Sequence, residues 1–145
     1  MLYLLDSNIL IYAKMAASPQ HKAVSKWLVD ILNDSAHSVM ICETTILSFL
    51  RISTNAKVFD PPLPIDQAAH FVDDLLNHPH VNIPLPSSTH FADVADVMKK
   101  HKFVGNLVMD AHLAALAMNR GAALATADTD FKRLPYLKVF DPTKT

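Results

Sequence analysis

The chain is predicted to fold as an α/β domain, with a central, mainly parallel sheet covered by helices on both faces. Three observations predict it. Leu2 to Leu5, Ser38 to Cys42 and Ala122 to Thr126 are short, mostly apolar runs without the polar–apolar alternation of a half-solvated strand, so both faces of each are expected to be covered. Longer segments of helical period lie between them, which implies right-handed βαβ units. No internal repeat and no linker composition interrupts the chain, so residues 1–145 are expected to form one domain.

The elements follow in order. Leu2 to Leu5 is a buried strand, and Asp6-Ser7-Asn8 supplies turn and N-cap chemistry before Ile9-Leu10-Ile11-Tyr12. A helix is expected from Ser18-Pro19, with Ser18 as cap and Ala23, Trp27, Leu28, Ile31 and Leu32 at helical spacing. The strand Ser38 to Cys42 precedes a helix that opens at Glu43-Thr44-Thr45 and runs to about Thr54. Pro61 to Pro64 is a loop leading into a helix marked by Ala68, Ala69, Phe71, Val72, Leu75 and Leu76, which His78-Pro79 stops. A strand at Val81 to Leu85 and a helix capped by Ser87-Ser88 come next, the helix carrying Phe91, Val94, Ala95 and Met98. A further helix spans Gly105 to Arg120 and closes on Gly121, a glycine C-cap. Ala122 to Thr126 is a strand, and Leu137 to Phe140 a last edge strand.

Composition narrows the function classes. Half the residues are apolar and only two are glycine, which describes an ordered globule and not a disordered or fibrous chain. The single cysteine, Cys42, can form no internal disulfide, and no zinc spacing accompanies it. The N-terminal apolar run has no basic flank and stops at Asp6, so no signal peptide is expected. Nor is there an apolar stretch of the roughly 18 residues that a membrane span needs, and a cytoplasmic protein with no membrane partner is expected. The formal net charge of −1 argues against broad polyanion binding and leaves room for a local basic patch, at Lys99-Lys100-His101-Lys102 or Lys132-Arg133. Basic residues at the end of a helix also suit its dipole.

The acids are the informative residues. In open α/β sheets ligands bind beyond the carboxyl ends of the strands. Asp6, Glu43 and Asp128 all fall at or just after such ends, and Asp110 lies among Leu113, Ala114 and Ala117 on the packed face of its helix. His112 and Asn119 lie nearly opposite Asp110, so His112 is expected on a solvated or partner-facing side. Each acid has an ordinary use of its own: Asp6 as an N-cap, Glu43 beside a helix N-terminus, Asp128 and Asp130 in a polar turn, Asp110 in an ion pair. Those uses do not explain why the acids converge on one rim. A shared divalent cation does, because carboxylates near apolar elements are costly without a positive partner. Hard oxygen ligands favour Mg²⁺ or Mn²⁺, which can activate water for phosphodiester hydrolysis with no nucleophilic side chain. No nucleophile elbow, P-loop or G-x-G-x-x-G motif offers another chemistry.

Four segments carry a family resemblance: Leu5-Asp6-Ser7-Asn8-Ile9-Leu10-Ile11-Tyr12-Ala13, Phe49-Leu50-Arg51-Ile52-Ser53-Thr54-Asn55, Gly105-Asn106-Leu107-Val108-Met109-Asp110-Ala111-His112-Leu113-Ala114 and Thr126-Ala127-Asp128-Thr129-Asp130-Phe131. Together they resemble the PIN-domain ribonucleases, most closely the VapC-like toxins of toxin–antitoxin pairs. The resemblance implies a three-layer α/β/α sandwich and a Mg²⁺- or Mn²⁺-dependent endoribonuclease with a protein antitoxin, an RNA substrate and a homodimeric state. It assigns metal binding to Asp6, Asp110 and Asp128, with Asp130 beside them. Asn8 is expected to support Asp6, and Thr126 to orient Asp128 or a water. One departure stands out. Many members carry a glutamate three residues before the arginine that matches Arg51, and here that position is Ser48, which leaves Glu43 as the candidate replacement. Arg51 is expected to contact an RNA phosphate, to pair with a site acid, or to form a structural salt bridge. The alternative functions are a non-catalytic RNA- or protein-binding module on the same fold, and a receiver-like phosphoryl-transfer domain. The second lacks the lysine it would need at a late strand end, where this chain has Thr126-Ala127-Asp128.

Overall fold

A computed structural model describes residues 1–145 and contains five strands, β1 (Leu2–Leu5), β2 (Ser38–Met40), β3 (Val81–Asn82), β4 (Ala123–Ala125) and β5 (Val139–Phe140). They form one sheet in the order β3-β2-β1-β4-β5, and every pairing is parallel. Six helices connect them: α1 (Ser7–Lys14), α2 (His21–Leu32), α3 (Glu43–Ser53), α4 (Ile65–Leu76), α5 (His90–His101) and α6 (Val108–Arg120). The chain adds β2 and β3 on one side of β1, then returns to lay β4 and β5 on the other. The order therefore reverses between β1 and β4, and a crevice opens where their connections diverge.

Side-chain alternation in the central strands divides the interior into two cores. Tyr3, Leu5, Val39, Ala123 and Ala125 face Trp27, Leu28 and Ile31 of α2, Phe49 of α3 and Val72 of α4. Leu4, Met40 and Leu124 face Val94 and Val97 of α5, Leu113 and Leu116 of α6, and Phe131. Two helical layers thus enclose one sheet, as the expected three-layer sandwich requires. No helix is long and apolar enough to cross a membrane.

Element ends differ from the sequence expectation in ways the backbone explains. The strand expected over Val81 to Leu85 stops at Asn82, since Pro84 has no N–H for a ladder. Ser18 does not cap α2: the chain makes a turn in which the His21 N–H donates to Ser18 O at 3.0 Å, and the helix proper starts at His21. Ser87 and Ser88 likewise lie ahead of the start of α5, which Thr89 precedes without a side-chain cap bond. Gly105 to Leu107 form a 3₁₀ turn at positive φ on Gly105 before α6 begins at Val108. Gly121 does close α6 as expected, at φ +64°, with its N–H directed to Ala117 O and Met118 O.

A Cβ on residue 121 would meet nothing within 4 Å, so the cost of a side chain there is purely conformational. Gly121→Ala is expected to lower the unfolding free energy by about 1 kcal/mol, roughly 2–4 °C in Tm for a domain of this size, read by urea and thermal unfolding. An unchanged or higher Tm would mean that the left-handed cap does not hold this helix end.

Candidate metal centre

Asp6 leaves the end of β1 and caps α1 with extended backbone, its Oδ1 accepting the Ser7 N–H at 2.7 Å. Its Oδ2 accepts from the Thr126 hydroxyl at 2.8 Å and from Asn8 Nδ2 at 3.2 Å. Thr126 follows β4, and the Asp6 N–H donates to Ala125 O at 3.0 Å, so the two strand ends are stitched together across the crevice. Asn8 completes the stitch, with Nδ2 also 3.2 Å from Thr126 Oγ1 and Oδ1 accepting the Ala127 N–H at 3.2 Å. The Asp128 N–H donates to Thr126 Oγ1 at 3.0 Å. Asn8 therefore supports Asp6 as expected, whereas Thr126 donates to Asp6, a contact the sequence did not suggest, and meets Asp128 at its backbone N–H.

Asp110 comes from the other side, in the first turn of α6, where the helix dipole favours a negative charge. Its carboxylate and those of Asp128 and Asp130 present oxygens that all lie within 4.8 Å of one another. Asp128 caps the 3₁₀ turn Thr129–Arg133, accepting the Asp130 N–H at 2.9 Å. Asp6 is 7% exposed and lines a cleft with Asp110, Ser7, Thr44, Thr45, Ser48, Met109 and Leu113. Asp110, Asp128 and Asp130 thus cluster at the switch point, and Asp6 lies beside Asp110 in the cleft, close enough to Asp128 to feel its charge.

Glu43 is not brought to them. It is the exposed first residue of α3, while Thr44, Thr45 and Ser48 of the same helix form the cleft wall. These residues carry no charge and were not anticipated as lining; their only sequence signal was the i, i+1, i+4 spacing behind the end of β2 and the noted departure at Ser48. Arg51 is exposed in the last turn of α3 and takes part in none of the four ion pairs of the molecule, so neither a site acid nor a structural carboxylate holds it. His112 is a correction. It is half-buried, with Nε2 3.1 Å from Thr44 Oγ1 and Nδ1 2.7 Å from His90 Nε2. The sequence projection assumed that α6 has a solvated side, but α5 packs along it and residues Leu113 to Ala117 are all buried.

The electrostatics are one-sided. None of the four ion pairs, Lys26–Asp30, Asp34–His37, Asp74–His70 and Asp96–Lys100, involves a site acid. Burial pushes the Asp110 carboxyl up to about 7, helped by repulsion from Asp128, Asp6 and Asp130. Burial also raises Asp6, as does Asp128, against the lowering effect of the donors Thr126 and Ser7. An all-oxygen donor set with no protein counter-charge matches what Mg²⁺ or Mn²⁺ requires.

The basic segments are joined as well. The Arg133 guanidinium donates to His101 O at 2.7 Å and lies 4.8 Å from the Phe103 ring centroid, which bolts the turn that begins at Asp128 to the basic end of α5. Lys99, Lys102 and Lys132 have no carboxylate partner within ion-pair distance.

Burial and repulsion together give Asp110 a pH signature. Asp110 binds its proton more tightly folded, at about 7, than unfolded, near its ordinary 3.8. Between those values the folded state carries the extra proton, so the ion-free protein loses stability as pH rises from about 4 to about 7 and loses no more from this group above that. Asp6 acts in the same direction. In EDTA, Asp110→Asn is expected to flatten this fall and to be the more stable protein near pH 7.5, as read from urea midpoints across the range. An equally steep fall in the variant would contradict a raised Asp110 carboxyl.

The PIN domain family pattern matches residues 3–136 of this chain. Ribonuclease VapC33 of Mycobacterium tuberculosis is 31% identical over 139 residues, 96% of either chain. Ribonuclease VapC37 of the same organism is 37% identical over 131 residues, 90% of either chain. Among solved structures, VapBC2 from Rickettsia felis, bound to a DNA fragment from the promoter, superposes with a TM-score of 0.71 at 20% identity, covering 97% of this chain and 98% of its own. VapBC-1 from nontypeable Haemophilus influenzae gives 0.67 at 22% identity over 99% of both chains. With the three-layer fold, the acids at the β1/β4 crevice and a family match over nearly its whole length, the chain belongs to the PIN domain family, in company with the VapC ribonucleases.

Proposed function

We propose that this protein is a divalent-metal-dependent endoribonuclease acting as the toxin of a toxin–antitoxin pair. One observation carries the reading: Asp110, Asp128 and Asp130 cluster at the switch point, Asp6 lines the cleft beside Asp110, and no ion pair of the molecule involves any of them. Asp6, Asp110 and Asp128 would hold the ion, with Asp130 at its edge; Mg²⁺ is the first candidate and Mn²⁺ the second. The bound ion supplies an activated water and charge stabilisation at the leaving oxygen of the phosphodiester.

The chain's own residues do the rest. Thr126 and Asn8 aim Asp6 by donating to its Oδ2. The same Thr126 hydroxyl accepts the Asp128 N–H, so one side chain touches Asp6 at its carboxylate and Asp128 at its backbone. The Thr45 hydroxyl is buried and donates to Leu5 O at 3.3 Å, which makes it unfit as a nucleophile. Lys99, Lys102, Lys132 and Arg51 offer phosphate contacts outside the acids. Leu47 on α3 and Ile65 on α4, 58% and 80% exposed, are apolar surface for a protein partner, either the antitoxin or a second copy.

Asp6→Asn and Asp110→Asn are each expected to lower the rate of cleavage of structured RNAs by at least about 100-fold, matching EDTA, while Glu43→Gln retains activity within a few-fold. Well-folded wild type that binds RNA equally with and without EDTA and yields no product would favour the non-catalytic module, a reading to which Ser48 on the cleft wall lends some support.

Replacing Lys99, Lys102 and Lys132 together by Gln is expected to reduce the slope of log K against log salt for single-stranded RNA by about 0.7 for each phosphate that the variant no longer neutralises. An unchanged slope would place the RNA elsewhere on the surface.

A further inference from the structure

A line of hydrogen bonds runs behind the acids, from α5 through the helix that carries Asp110 to the strand that carries Asp6. It starts at His90, the first residue of α5 and 3% exposed, whose Nε2 lies 2.7 Å from Nδ1 of His112. On the far side of the His112 ring, Nε2 lies 3.1 Å from Thr44 Oγ1 at the start of α3. Thr44 Oγ1 is 3.1 Å from Cys42 Sγ, which is 3.3 Å from Thr45 Oγ1. The Thr45 hydroxyl donates to Leu5 O at 3.3 Å, and Leu5 is the residue before Asp6. Both His112 ring nitrogens are used, and each is engaged by a different helix.

The position of His112 gives this line its meaning. It is two residues after Asp110 on α6, so a rotation of the helix about its axis, or a slide along it, moves both side chains together. Around it α6 is packed by small and apolar side chains, Ala111, Leu113, Ala114 and Ala115, none of which offers a polar group to fix the helix. An apolar residue would fill the same space with no polar group to satisfy. An imidazole held at both nitrogens instead fixes the azimuth and height of the helix against α3 and α5, because hydrogen bonds are directional and packing contacts are not. The acids repel one another and would splay if α6 were free to turn.

We propose that His112 is a positioning residue: through Thr44 and His90 it holds α6 in the register that keeps Asp110 within coordinating reach of Asp128 and Asp130. The inference rests on the reading of these acids as ion ligands. It goes beyond that reading by assigning ion affinity partly to a side chain that touches neither ion nor RNA.

Equilibrium Mn²⁺ binding, followed by the electron paramagnetic resonance signal of the free ion, tests it apart from catalysis. Wild type, Asp110→Asn, His112→Leu, His112→Gln and Thr44→Val are compared, each checked for folding by circular dichroism. His112→Leu and Thr44→Val are expected to weaken Mn²⁺ binding by about 10-fold or more, and His112→Gln, whose amide reaches the Thr44 hydroxyl, to restore it to within a few-fold of wild type. If His112→Leu does not fold, Thr44→Val and His112→Gln carry the comparison. Mn²⁺ affinity unchanged in Thr44→Val and in folded His112→Leu, with only Tm lowered, would reduce His112 to a structural residue and leave the ion site standing. Wild type that binds no Mn²⁺, with Asp110→Asn indistinguishable from it, would overturn the ion site and this inference together.

Discussion

The pairing of β1 with β4 is the constraint on which the rest of the site depends. Parallel register aligns Leu5 with Ala125, so the next residues on both strands emerge at the same level. Asp6 and Thr126 then meet within hydrogen-bond distance, 120 residues apart in the chain. A slip of one residue would turn every side chain of a strand to the other face, so the burial of Leu4 in one core and of Leu5 in the other locks the register that makes this meeting possible.

Within that frame the site is held in a repulsive state. Carboxylates crowded without a cation raise each other's proton affinity, and the fold tolerates them through local supports: the dipole of α6 under Asp110, the N-cap bonds of Asp6, and the Asp128 cap of the following turn. None of these neutralises charge. They orient the oxygens inward and leave the charge for a ligand to satisfy. Strain concentrated at a functional site and supported elsewhere is the general pattern of such centres. The basic residues are kept to the flank, where Arg133 is occupied with a helix end and so does not quench the acids.

How much of this was legible in the sequence follows from the range of each interaction. The layers were readable because an unbroken apolar strand can lie only between two covered faces, and Leu2 to Leu5 shows that pattern on its own. Asp6 and Asp128 were readable because strand ends in a parallel sheet share one rim. Glu43 looked equally well placed by that rule, since it too follows a strand. The rule does not say which of the first helical residues turns inward; in α3 it is Thr44, Thr45 and Ser48, and Glu43 faces out. His112 was misplaced for a related reason. A helical projection ranks the faces of one helix but carries no information about a second helix, and α5 covers the face it had assigned to solvent or a partner.

The sequence by itself determined the fold class and the residue types of the centre, because strand and helix period, N-cap chemistry and the cost of acids beside apolar runs are local properties. Only the tertiary structure decided which acids lie together, that Thr126 and Asn8 bond to them, that Arg133 ties one basic segment to the other, and that His112 is enclosed. Those facts depend on which strands are neighbours and how α5 and α6 pack. Strand order and helix packing are set by contacts between residues far apart in the chain, which no local periodicity encodes.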